Sequence, residues 1–120
     1  MVIGLAAVLE AALARQHDAQ RSFYHIRPED MTVQARMENM RTNALAAVAE
    51  IIEVIDETGW KPWKSNGFGT VNHAAFADEM ADVLLFLFNM AIGAGVSGTD
   101  LARALEDAWQ KNETRQRDGY

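Results

Sequence analysis

The chain has 120 residues, 49% of them hydrophobic and 23% charged, which is the size and composition of one compact domain spanning residues 1–120. Eleven Lys plus Arg against 17 Asp plus Glu give a formal net charge of −6, the wrong balance for a phosphate-backbone binder, so no nucleic-acid partner is expected. The absence of cysteine excludes disulfides, thiolate zinc sites and a cysteine nucleophile, and no apolar run reaches the roughly 20 residues a membrane-spanning helix needs.

The pattern predicts an all-α fold of four helices. The first runs over about 3–24 and ends before the turn Arg27-Pro28-Glu29-Asp30. The second begins near Met31 and carries apolar residues at 33, 37, 40, 44, 47, 51 and 54, alternating steps of three and four that mark one buried helical face; it stops before Gly59. Residues 60–71 hold Pro62, Gly67 and Gly69 among polar residues and read as a long loop of functional length. A third helix starts at about Asn72. It ends in Gly93-Ala94-Gly95-Val96-Ser97-Gly98, which matches the spaced glycines of a dinucleotide-binding turn but follows a helix rather than a strand, so it reads instead as a helix-ending glycine turn. Ser97 and Asp100 then form a capping box for a fourth helix over about 100–116. Because residues 83–88 are apolar on nearly every side, the third helix needs more cover than one short chain supplies, and homo-oligomerisation is expected.

Carboxylates recur at helical spacing. Glu50, Glu53 and Glu57 fall within an arc of roughly 60° beside the apolar stripe, while Asp56 points further round toward solvent. Glu79 and Asp82 repeat the spacing on the third helix, and Asn89 lies two turns beyond Asp82 with Phe86 between them. Either pair alone is common on a solvated helix face. Two such pairs, flanked by large apolar residues on helices that a loop lets lie antiparallel, bring like charges together on an apolar surface and need cations. Hard oxygen donors without cysteine and with sparse histidine suit Mg²⁺ or Mn²⁺ rather than zinc.

Glu50-x-x-Glu53 followed by Glu79-x-x-Asp82 resembles the paired carboxylate motif of the all-α nucleoside triphosphate pyrophosphohydrolases, the superfamily of MazG and the dimeric dUTPases. Residues 78–91 are similar to MazG through the acidic pair and the later Asn89, whereas Trp60-Lys61-Pro62-Trp63-Lys64 and the tail from Lys111 to Tyr120 are more like the dimeric dUTPases. The matching parts cover roughly residues 45–120.

The resemblance implies a four-helix MazG-like bundle that oligomerises as a homodimer or homotetramer. It also implies hydrolysis of a (deoxy)nucleoside triphosphate between the α and β phosphates, releasing the monophosphate and diphosphate. Carried over residue by residue, Glu50, Glu53, Glu79 and Asp82 become ligands of two or more Mg²⁺ ions, and Glu53 also orients or deprotonates the attacking water. Lys61, Lys64, Lys111 and Arg115 become phosphate clamps, with Asn112 sharing the face of the last two. Asn89 on its apolar helix is expected to recognise sugar or base, and Trp60 to stack on the base, while Trp63 serves the site or the core equally well. The dimeric dUTPases are about twice as long, which leaves base specificity open between dUTP and the purine nucleotides dATP and dGTP that related short phage chains remove from the nucleotide pool. A cytoplasmic location, that of the host for a phage-encoded chain, accompanies this reading. The alternative from another class is a non-enzymatic acidic helical module that binds metal or serves assembly.

Overall fold

The computed structural model describes residues 4–119; Ile3, expected to open the first helix, and Tyr120, the last residue of the tail motif, lie outside that range. The described chain is all-α. Its elements are α1 (Leu5–Phe23), a short 3-10 turn (Pro28–Asp30), α2 (Val33–Asp56), α3 (His73–Ala94) and α4 (Gly98–Arg117), with no strand among the described residues beyond one isolated bridge. No single helix is long and apolar enough to cross a membrane. The chain forms two compact units, α2 with α3 and α1 with α4.

In the first unit both helices start on side-chain caps: Thr32 accepts from the Ala35 amide at 3.1 Å, and Asn72 from the Ala75 amide at 3.2 Å. The two helices run antiparallel, because contacts between them move backward on α2 as they move forward on α3. Glu50 meets Glu79 and Asp82, Asn43 meets Asn89, and Met40 meets Gly93. Small residues permit this approach. A Cβ on Gly93 would lie 2.9 Å from Met40 Cγ, and Ala47, Val54 and Val83 are buried along the seam.

The buried face of α2 keeps part of the one its apolar spacing predicts, with Ala47 and Val54 buried and Met40 and Ala44 half-buried. Val33, Met37 and Ile51 are exposed, whereas Asn43 is buried and Glu50 half-buried beside Ala47 and Val54. The helix is turned toward its polar residues because α3 presents its own polar line, Glu79, Asp82 and Asn89, to the seam. Between the helices, residues 57–72 form a loop pinched at its base. The Gly59 amide donates to the Thr70 carbonyl at 2.6 Å, the Gly69 amide to the Gly59 carbonyl at 2.8 Å and the Asn72 amide to the Glu57 carbonyl at 3.1 Å.

In the second unit, Leu13 and Ala102 are buried, and Gly98 sits against the backbone of Leu9 and Glu10, where any Cβ would overlap. The α4 amino terminus has the expected capping box: Ser97 Oγ accepts from the Asp100 amide at 3.0 Å, and Asp100 Oδ2 from the Ser97 amide at 3.2 Å. Glu10 adds a third partner by accepting from the Thr99 amide at 2.7 Å. The spaced glycines are therefore structural. Gly93 and Gly98 allow close packing, and Gly95, with φ +75°, supplies the left-handed residue that ends α3.

Candidate functional site

The antiparallel seam sets the two acidic pairs opposite each other. One carboxylate oxygen from each of Glu50, Glu79 and Asp82 lies within 4.8 Å of the other two, with Glu50 and Glu79 half-buried and Asp82 exposed. Ionised groups at that spacing repel one another, and a cation between them would offset the repulsion. Glu79 shows the consequence: partial desolvation, a hydrogen bond with the Glu50 carboxyl and the charges of Glu50, Asp82 and Glu53 all push its pKa above the ordinary 4.5. Glu53 is exposed one turn along α2, close enough to act on Glu79 but outside the close group of three. Glu57 is half-buried at the carboxyl end of α2, where its carbonyl holds the loop base.

The loop after α2 brings Trp60, Lys61 and Lys64 together. They line a groove of about 310 Å³ with Asp56 and Asn66. Trp60 and Trp63 meet edge to face at 5.6 Å between ring centroids, and Lys61 Nζ lies 5.5 Å from the Trp60 ring centre, a distance that favours the ammonium over the ring face. Trp60 is 44% exposed and Trp63 70%, so neither closes a core. Asp56, which spacing on α2 turns toward solvent, is exposed and lies at the edge of this groove.

Lys111 and Arg115 stand one turn apart on α4 and share a shallow hollow with Asp107 and Thr114. Asn112 lines the adjoining face instead, with Trp109 and Glu113, because one residue along a helix turns the side chain by about 100°. All three belong to the α1 and α4 unit.

Asn89 is only 6% exposed, and its Nδ2 donates to Asn43 Oδ1 at 3.0 Å across the seam. Asn43, itself 7% exposed, donates back along its own helix to the Asn39 carbonyl at 2.9 Å and to Asn39 Oδ1 at 3.2 Å. Sequence reading passed over Asn43. The available signal was an amide between Met40 and Ala47 on a helix face otherwise built from apolar residues.

A family model described as dUTPase matches residues 20–117, from the last turn of α1 to the end of α4. The chain belongs to the dUTPase family. No curated protein and no solved structure matches it. The dUTPase match takes in both acidic pairs, the Trp60 loop and the α4 cations, and extends about 25 residues further toward the amino terminus than the motifs that first pointed to this family. Membership indicates nucleoside triphosphate hydrolysis and use of a divalent metal. The donor set fits such an ion: three hard carboxylates on two helices, one of them with its pKa raised by its acidic neighbours.

Proposed function

We propose that this dUTPase-family chain is a Mg²⁺-dependent nucleoside triphosphate pyrophosphohydrolase that converts a dNTP and water to the dNMP and diphosphate. The observation that carries this reading is the convergence of Glu50, Glu79 and Asp82 within 4.8 Å across two helices. Mg²⁺ held by these carboxylates, with Glu53 completing the set, would neutralise the triphosphate and stabilise charge developing on the oxygen that bridges the α and β phosphorus. Mn²⁺ has the same ligand preferences and serves as a probe.

In this reading Glu53 takes the proton of the water that attacks the α phosphorus. Its exposed position outside the close group of three suits a base that must meet solvent. The bond broken is that between the α phosphorus and its bridging oxygen, and diphosphate leaves. Lys61 and Lys64 hold phosphate oxygens in the loop groove, with Trp60 offering a ring face to the base. Lys111, Asn112 and Arg115 on α4, a helix the family match takes in, are proposed as further phosphate-binding residues. The family description favours dUTP as substrate, with dATP and dGTP as the competitors to be compared.

The functional unit in this proposal is a homodimer or homotetramer. Leu45, Val48, Ile52 and Ile55 are 71%, 56%, 56% and 42% exposed and form a second apolar stripe on α2, on the side away from Asn43, Ala47 and Val54. A light-scattering mass equal to one 13.3 kDa chain would refute this assembly.

The deciding experiment incubates the chain with dUTP, dATP, dGTP, dCTP and dTTP plus Mg²⁺ and separates diphosphate from orthophosphate release. Diphosphate from at least one nucleotide, abolished in a folded Glu53→Gln variant, is the expected result. No turnover across the panel would favour the non-enzymatic acidic module, and release of single phosphate would mean a different reaction.

A further inference from the structure

The Asn43 to Asn89 hydrogen bond occupies a particular place relative to the acidic cluster. Asn43 precedes Glu50 by seven residues on α2, and Asn89 follows Asp82 by seven on α3. In an antiparallel pair these offsets coincide, so the amide pair lies two turns, about 10 Å, along the same seam from the carboxylates. Both amides are more than nine-tenths buried, and the Asn43 amide nitrogen is held by Asn39.

Such a pair has a physical task here. Apolar packing does not by itself fix the sliding position of α3, because its central stretch Val83-Leu84-Leu85-Phe86-Leu87-Phe88 offers an apolar surface at every register. A slip of one turn, about 5.4 Å, replaces one apolar contact by another. The carboxylates oppose the native register, since it brings like charges together. The amides favour it, since any slip parts them and forfeits the hydrogen bond between two buried polar groups. A single buried Asn setting helix register in coiled coils follows the same logic.

We infer that the buried Asn43 and Asn89 amides are positioning residues that lock α2 and α3 in the register where Glu50, Glu79 and Asp82 form one metal site. The inference rests on the metal-centre reading above for its consequence, and on the hydrogen bond for its cause. It gives Asn89 a role in placing carboxylates, distinct from contact with the nucleotide. It also explains why a polar side chain sits in the most apolar helix of the chain.

The test replaces both amides at once, Asn43→Leu with Asn89→Leu, because two apolar groups of similar shape preserve packing where one orphaned amide would not. Register is read without metal by a second pair, Met40→Cys with Gly93→Cys. The chain has no other cysteine, and the position of a Gly93 Cβ 2.9 Å from Met40 Cγ suits a disulfide only in the native register. In the leucine background, disulfide formation should slow at least fivefold with helix content and melting retained, and Mn²⁺ affinity should fall about tenfold or more. Oxidising the cysteine pair should then restore Mn²⁺ binding, a rescue that lost packing would not show.

Unchanged disulfide formation, or unchanged Mn²⁺ affinity in the leucine variant, would overturn the inference. So would altered preference among dNTPs with Mn²⁺ affinity intact, which would mean that Asn89 reads the substrate directly. If the leucine variant does not fold, Asn43→Ala with Asn89→Ala carries the same comparison. A wild-type chain that binds no Mn²⁺ would refute the metal centre itself, and the rate of disulfide formation would still decide the register.

Discussion

Replacing Glu79 by Gln should move stability in opposite directions with and without metal. In the metal-free chain Glu79 is desolvated, hydrogen-bonded to Glu50 and repelled by Glu50, Asp82 and Glu53, and every one of these raises its pKa above 4.5. A carboxyl whose folded pKa is raised binds its proton more tightly in the native state, so its favourable contribution is complete below pH 4.5 and is lost as pH rises through the folded value. Above that window the wild type carries repulsion that Gln lacks. Glu79→Gln is therefore expected to melt higher than wild type at pH 7.5 in EDTA, and its stability should vary less with pH above 4.5. Metal reverses the order. At a Mn²⁺ concentration 100 times Kd, binding to the native state adds about 2.7 kcal/mol, which for a chain of this length raises Tm on the order of 10 °C. Gln offers a neutral oxygen in place of a charged one, so the variant should gain only a small part of that increase. The assay is a pair of thermal melts, EDTA against saturating Mn²⁺, repeated between pH 4 and 8. A variant less stable than wild type in EDTA, or one stabilised by Mn²⁺ as much as wild type, would refute the account of this cluster.

Ser97→Ala removes the hydroxyl that caps α4 and should cost about 1 kcal/mol, read as a lower denaturation midpoint with an unchanged slope. Asp100→Asn tests the reciprocal bond. The Ser97 backbone amide, then the Ser97 side chain, lower the Asp100 pKa below 3.8, so the wild-type advantage should be present at neutral pH and disappear as pH falls through that lowered value. Gly59→Ala places a methyl on the Gly67 carbonyl oxygen, a backbone atom that cannot rotate away, and should cost about 1–3 kcal/mol of local distortion. Because the groove hangs from that loop base, KM for the nucleotide should rise while Mn²⁺ affinity stays at the wild-type value, as measured by steady-state kinetics and calorimetry.

The helices were legible wherever a local signal sufficed. Ser97 and Asp100 announced the start of α4, Asn72 that of α3, and glycine and proline marked the breaks, because caps and turns are decided by residues a few positions apart. The paired acids were legible too, since their spacing alone sets them on one face. The azimuth of α2 was legible only in part. Its apolar spacing pointed to 33, 37, 40, 44, 47, 51 and 54, of which 40, 44, 47 and 54 are buried or half-buried. Yet 33, 37 and 51 are exposed and the helix also buries Asn43 and half-buries Glu50, because the deciding partner Asn89 lies 46 residues away on a different helix. Spacing within a helix defines faces. It does not say which face a distant helix will meet when both apolar and polar residues compete for the seam.

That competition also bears on how an acidic chain accommodates a polyanionic substrate. A net charge of −6 repels a triphosphate at long range, but screening reduces that field over about 8 Å at physiological salt, and the local charge at the site is set by what the carboxylates hold. Lys61 and Lys64 are grouped in the loop groove, whereas Glu50, Glu79 and Asp82 are grouped on the helix seam. Without a cation the seam is an acidic patch that rejects phosphate, and its neighbouring acids raise the Glu79 pKa above the ordinary carboxylate value. With divalent ions bound, the same oxygens hold positive charge in a fixed position. On the proposed reading the reaction would depend on metal twice, for docking and for chemistry, so raising Mg²⁺ should lower the apparent KM as well as raise kcat. An apparent KM independent of Mg²⁺ concentration would mean that the lysines bind the phosphates unaided.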